Sequence, residues 1–438
     1  MRIYWLRLAP VFLGILVLAW FVPQTYLRTT RADYFQVSAT YSPLRKEFIL
    51  WETGPSFFVF KTEAGAPLSQ REGRMATPFS FPKDVEKWGG FPFELDGRVI
   101  TYADAQESGW TRVSPRAVMP PMPRIHVLME SSPETSSFKL PPDIMLVDDN
   151  GLRFVECGTG KQNAAKSHEF TQALRDAGVR FPLRVAASNA DPFKSHDEGM
   201  FFVDSAGALF QLLMVKGRPV CRNTGHTVAG NALYIEVKEN RNSEFLGAIV
   251  TSEGFFLNLR HKAPLRLPFE YQPEAQSVSL WMTPLDTTIN VRNLVPEKQR
   301  EAFATVMDSD FTVMRTLQLE TPPAILARLQ NLQRGLSLLS PFSIVQFEPH
   351  IYGTVLHVRP AQYPLWALAG TLASSIVLLF VRRRMQGERS LFSALQRNWP
   401  EFLVTLIFGL PALLMILVMG PLTRPVCSRC SSAGQMRK

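Results

Sequence analysis

Several signatures that would announce an enzyme are missing from this chain. It contains neither a Gly-x-Ser-x-Gly elbow nor a His-Glu-x-x-His pair, the patterns that present a serine nucleophile or two zinc ligands. The string "CGTGKQ" from Cys157 has the wrong Gly to Lys spacing for a phosphate loop and no strand-to-helix frame. Also missing is an N-x-S/T acceptor: the 11 asparagines between the first two apolar runs include none, which fits a bacterial periplasm better than a secretory lumen. No catalytic chemistry and no cofactor are indicated.

Net charge is absent from the middle of the chain. The formal charge of +9 invites a nucleic-acid reading until it is located. Residues 1–22, 382–401 and 423–438 together hold 11 basic and 2 acidic groups, leaving 36 of each sign elsewhere. A neutral globule has no electrostatic footprint for a polyanion, so nucleic acid is not expected as a partner. The basic excess flanks apolar segments instead.

Charge is likewise missing from two long runs, Tyr363 to Val381 and Phe402 to Leu422. Each meets the roughly 20 apolar residues needed to cross a bilayer, and Pro411 is tolerable there. A shorter run, Leu8 to Val22, follows Arg2 and Arg7 and lacks a small-x-small cleavage site, so it reads as an uncleaved signal anchor. Arginine in a short loop beside a span resists translocation. The cluster Arg382, Arg383, Arg384, Arg389 and Arg397 therefore predicts a cytoplasmic loop, which puts the N-terminus inside and the large middle region outside. With three spans the tail also falls outside, against the sense of its four basic residues.

The middle region carries strand–turn–strand signals rather than long helical periodicity. The clearest are "IMLVDDNGLRFVE", "GMFFVDSAGALFQLLMV" and "GAIVTSEGFFLNL", with weaker versions near Gly65 and Gly97. Gly97, Gly151, Gly207 and Gly254 recur at intervals of 54, 56 and 47 residues, a period typical of propellers, although a β-sandwich gives similar local signals. Three helices are expected: one capped by Ser167 and stopped at Gly178, one starting at Pro296, and one in "TPPAILARLQNLQRGLSLLSP". The last carries Ile325, Leu329, Leu332, Leu336 and Leu339 in a single stripe, read as internal packing, and two strands follow it.

These readings predict a mainly β, propeller-like extracytoplasmic domain, or alternatively a β-sandwich, with a small α+β membrane-proximal subdomain and three transmembrane helices. The boundaries are 1–23 for the anchor, 24–320 for the β domain, 321–361 for the subdomain, 362–382 and 402–422 for the other spans, 383–401 for the basic loop and 423–438 for the tail.

Metal or thiol chemistry has weak candidates. Cys427 and Cys430 form a C-x-x-C, which could be a redox dithiol or half a metal site, although neither the helix start nor the further ligands are evident. Met119, Met122, His126 and Met129 would suit copper(I), but sit in a proline-rich stretch where such residues are ordinary filler. Adjacent His196, Asp197 and Glu198 read as a solvated loop, because neighbours in an extended chain point to opposite faces. Cys157 and Cys221 could pair in an oxidising compartment, a matter of Cα separation.

On "GMFFVDSAGALFQLLMVKGRP" and "GFFLNL" the chain resembles an uncharacterised domain-of-unknown-function family of bacterial membrane proteins. The resemblance implies an N-terminal anchor, a β-rich extracytoplasmic region and a C-terminal hydrophobic hairpin. It also implies genes beside ABC-transporter components, hence permease and ATPase subunits as partners in the bacterial inner membrane. The resulting expectation is a non-enzymatic membrane-anchored accessory subunit with a ligand- or partner-binding periplasmic domain. The alternative is a periplasmic metal-handling or thiol-redox factor using Cys427 and Cys430.

Overall fold

The computed structural model describes residues 5–30, 36–54, 57–119, 124–239, 244–293, 302–320, 322–350, 353–388 and 390–422. The chain divides into two compact units, one of Met1–Phe35, Pro322–Gln346 and Leu356–Lys438, the other of Gln36–Thr321 and Phe347–Val355.

After helix α1 (Trp5–Thr30) the chain enters the strand-rich unit. A first antiparallel sheet joins β1 (Gln36–Ser42), β2 (Glu47–Thr53), β3 (Phe58–Lys61) and β4 (Pro67–Leu68). An insertion follows, comprising α2 (Gln70–Ala76), α3 (Pro82–Lys87), the hairpin β5 (Phe93–Leu95) with β6 (Arg98–Ile100), and α4 (Tyr102–Gln106). Strand β7 (Gly109–Val113) and α5 (Pro115–Val118) lead to the second sheet, made of β8 (Ile125–His126), β9 (Asp143–Asp148), β10 (Gly151–Glu156) and β11 (Gln162–Asn163). Helix α6 (Ala164–Asp176) packs there, with Phe170 4.7 Å from the Phe154 ring.

The third sheet is β12 (Val185–Ser188), β13 (Met200–Val203), β14 (Ala208–Val215) and β15 (Arg218–Thr227). The fourth is β16 (Ala232–Val237), β17 (Phe245–Thr251), β18 (Gly254–Leu259) and β19 (Leu265–Arg266). The fifth runs β20 (Gln276–Met282), β21 (Asp286–Asn293), β22 (Phe303–Asp308) and β23 (Val313–Gln318), with β7 added on the free side of β20.

The second to fifth sheets pack face against face in sequence, and the first packs on the fifth. Phe202 and Phe210 of the third sheet join Met145 and Phe154 of the second in one core, while Phe201 and Val203 meet Ile235, Ile249 and Phe256 of the fourth in another. A strand covered on both faces has no polar side, which is why "MFFV" is an unbroken apolar run. Phe255 and Leu257 of the fourth sheet pack with Val278, Leu280 and Ile289 of the fifth. Ala304 and Val306 of the fifth pack with Ala39 and Phe48 of the first. Among the described residues there are thus five sheets of four or more strands, more than the two layers of a sandwich.

The five expected hairpins all form. Gly97, Gly207 and Gly254 take the positive φ that closes their turns, but Gly151 serves another purpose. A Cβ there would lie 2.7 Å from the Thr171 side chain, whose hydroxyl accepts from Leu152 N at 2.9 Å. Two helix expectations need correction. Asn163, not Ser167, caps α6, accepting from Lys166 N at 3.0 Å, while Ser167 lies one turn in and donates to Asn163 O. The helix expected from Pro296 ends in a strand, because Phe303–Asp308 forms β22, whose Ala304 and Val306 are needed in the core; residues 294–301 lie outside the described ones.

The other unit holds α7 (Pro323–Leu339), α8 (Pro364–Gln386), α9 (Leu391–Phe408) and α10 (Leu410–Met419), and β24 (Phe342–His350) pairs with β25 (Gly353–Pro360). Helix α7 spans the predicted leucine stripe and runs so close to α8 that a Cβ on Gly370 would sit 1.9 Å from Leu338 O. Two described helices, α1 over Ala9–Tyr26 and α8, are long and apolar enough to cross a membrane. The third expected span is not one helix. Gly409, at φ 65° and ψ −141°, breaks the run 402–422 into the end of α9 and α10, and Leu422 N donates to Glu401 Oε1 at 2.8 Å. Nor is 383–401 a loop throughout: α8 continues to Gln386 and α9 starts at Leu391, with Asn398 non-helical before Pro400.

Candidate functional site

The insertion, β7 and β20 enclose a groove of about 360 Å³, within the size range of small-molecule sites. Its floor follows from strand register: Trp110 and Trp281 are directly opposed across β7 and β20, so their side chains share one face. Trp110 is half exposed, and Trp281 continues inward to Trp51 of β2, ring centroids 6.2 Å apart. Phe79, Tyr102 and Gln106 complete the walls together with Ser80, Ser108 and Lys83. Two capping boxes hold the insertion's helices in place, Ser69 with Glu72 on α2 and Thr101 with Asp104 on α4.

Among the described residues Lys83 is the one charged side chain on these walls. Ser80 Oγ, Ser108 Oγ and Trp281 Nε1 are buried and have no hydrogen-bond partner among the described residues. Each is an uncompensated polar group behind the groove wall. Aromatic faces with sparse hydroxyl and amide groups suit a ring-bearing, uncharged or weakly anionic molecule.

A second polar concentration lies in the loop between β12 and β13, where sequence reasoning expected solvated residues. Lys194 is buried with about 1% of its side chain exposed. Its Nζ donates to Asp197 Oδ1, to Asn189 O at 2.6 Å and to Glu239 Oε1 at 3.3 Å. Asp197 Oδ2 also accepts from Ser131 Oγ and Gly199 N, and Glu198 accepts from Arg260 and from Gln211 Nε2. Neighbouring side chains do diverge, as strand geometry requires, but both directions lead into protein rather than water. The signal that could have found this was Lys194 itself, one turn before Asp197 and Glu198.

Ser195 Oγ lies 3.0 Å from His196 Nδ1, and His196 Nε2 lies 3.5 Å from Glu198 Oε1, an order found in hydrolase relays. Glu198 is however engaged by Arg260 on that same oxygen, which offsets the carboxylate's charge at the imidazole. The network is a clamp on the loop, and it holds Phe193 out in solvent at 93% exposure.

The other sequence candidates do not converge. His126 and Met129 are buried, Met119 is exposed, and Met122, Cys427 and Cys430 lie outside the described residues. Among the described residues no group of three or more His, Cys, Asp or Glu could hold a metal ion. Cys157 and Cys221 are free thiols rather than a disulfide, and burial pushes the Cys221 thiol up to about 12. Of the basic cluster, Arg383 and Arg384 are exposed, Arg397 pairs with Glu388 at 2.9 Å, and Arg389 lies outside the described residues. Arg382 is different: it is buried, with Nε donating to Glu401 Oε2 at 2.7 Å.

Residues 38–305, which hold the five sheets down to the start of β22 and the whole groove, match the family described as domain of unknown function DUF4857. The chain belongs to the DUF4857 family. The matched stretch covers most of the strand-rich unit of this DUF4857 protein and leaves β23, α1 and α7 to α10 outside it. No curated protein matches the chain.

Proposed function

We propose that this DUF4857 protein is a non-enzymatic, membrane-anchored accessory subunit, and that its strand-rich unit binds a ligand or partner at the Trp110–Trp281 groove. The observation that carries the reading is the combination of that groove with two apolar helices, α1 and α8, on either side of the strand-rich stretch in the chain. In this reading both helices cross the bacterial inner membrane, the arginines at the end of α8 stay in the cytoplasm, and the sheets stand in the periplasm. Five antiparallel sheets packed in series, with the last against the first, support a five-bladed propeller-like domain. Such folds serve more often as binding platforms than as conduits. Two apolar helices cannot by themselves line a polar path, so transport belongs to a partner, and an ABC-type permease with its ATPase is the class we assign.

Affinity purification of the full chain from native membranes in mild detergent tests this. Permease and ATPase subunits should come with it, and recovery should fall when Trp110 is replaced by Ala. Repeated recovery of the chain alone would remove the accessory role.

A further inference from the structure

We infer that residues 401–422 form a re-entrant hairpin, so that the C-terminal tail emerges on the same membrane face as the arginine cluster. This rests on the reading of α1 and α8 as membrane-crossing helices. A straight helix from 402 to 422 would separate its ends by about 30 Å, at 1.5 Å per residue, and would deliver the tail to the opposite side. Instead Leu422 N donates to Glu401 Oε1 at 2.8 Å. The chain enters, turns at Gly409 and comes back.

The depth of the turn follows from its neighbours. A Cβ on Gly409 would lie 3.2 Å from Pro341 and 3.3 Å from Thr371, and Thr371 stands 11 residues before Arg382 on α8, about 16 Å along the axis. That is about half of a hydrocarbon core about 30 Å thick. Non-helical backbone at this depth must be covered by protein. Here Gly409 N donates to Thr405 O at 2.7 Å, Leu413 N donates to Gly409 O at 3.1 Å, and the Phe408 ring packs edge-on against Phe12 and Phe342. The returning arm is held by Ala412, Leu413 and Ile416 against Val11, Ile15 and Leu378. At the base, Glu401 joins both arms to α8, taking Arg382 on one oxygen and Leu422 N on the other.

The hairpin removes the charge conflict of a three-span reading. The 11 basic and 2 acidic groups of residues 1–22, 382–401 and 423–438 then all fall on one face, as the positive-inside rule requires. Cys427 and Cys430 then meet a reducing cytosol instead of an oxidising periplasm.

Two single-cysteine versions of the full chain decide the matter, one keeping Cys430 and one keeping Cys157, with the other three cysteines replaced by Ser. A membrane-impermeant maleimide is applied to intact spheroplasts and to inverted vesicles. Labelling of the two thiols from opposite faces supports the hairpin; labelling from the same face overturns it. The orientation is read separately, because Cys157 labelled only in inverted vesicles would overturn the periplasmic placement while leaving the hairpin standing. A fluorescent protein fused after Lys438 should fold and fluoresce in cells; a dark fusion with an active periplasmic phosphatase at the same point, in a chain whose Cys157 is labelled from the periplasmic face, would overturn the hairpin.

Discussion

Asn290 holds Ala39 as a strand would: its Oδ1 accepts from Ala39 N at 2.7 Å and its Nδ2 donates to Ala39 O at 2.8 Å. One side-chain amide thereby satisfies both backbone groups of a residue 251 positions away and joins the first sheet to the fifth. Replacing Asn290 with Ala orphans both groups, each at a cost of about 1–3 kcal/mol. Denaturation followed by tryptophan fluorescence should show a lower midpoint with an unchanged slope, and Asn290→Asp, which can accept but not donate, should fall between.

Among the described residues Lys194 is the only cation paired with Asp197 and Glu239 in the buried clamp. Lys194→Met leaves two buried carboxylates without their counter-charge, a loss of about 3–5 kcal/mol. Expression in folded form and protease resistance of the strand-rich unit should both drop sharply. Replacement of exposed Phe193 by Ser should change neither.

Asp286 carries a pH dependence of unusual sign. Burial lifts its carboxyl from 3.8 to about 7, and its Oδ1 has no partner among the described residues. The folded state therefore keeps a proton that the unfolded state releases. The stabilisation this gives is complete below about pH 4 and is lost as pH rises to about 7. Asp286→Asn should flatten the melting temperature across that window and exceed the parent chain at pH 8; equal slopes would refute the assignment.

Arg382 and Glu401 are almost without exposure, at 3% and 0% of their side chains. Removing one partner strands the other, at about 3–5 kcal/mol. Arg382→Ala and Glu401→Ala should each lower thermal stability in detergent by similar amounts, and the double variant should recover part of the loss, as a coupled pair requires.

Trp110 is half exposed, so Trp110→Ala should leave the melting temperature within about 1–2 °C while weakening whatever occupies the groove. Co-purification yield of partners, compared at equal expression, is the measurement.

Local signals were the most legible part of the sequence. Every predicted hairpin formed, because a polar turn between two apolar runs is decided within a dozen residues. The apolar run "MFFV" reported a strand covered on both faces. The insertion that builds the groove was harder, since its helices are short and stabilised by caps such as Ser69 with Glu72 rather than by an apolar stripe. The pairing of Trp110 with Trp281 depends on strands about 170 residues apart, which no local pattern encodes. The run 402–422 was legible only in part, for a physical reason: composition reports that a segment prefers lipid, while the conformation of Gly409 decides whether it is one helix or two.

Strand β7 follows the insertion in the chain and belongs to the fifth sheet by pairing. During synthesis, in which the N-terminal side of the chain emerges first, Gly109–Val113 appears long before Gln276–Met282, its ladder partner among the described residues. For that interval a half-apolar edge stands open to other chains. Holdase chaperones in the compartment where the domain matures would set its yield, and a circular permutant that brings the two strands together in order would mature with less help.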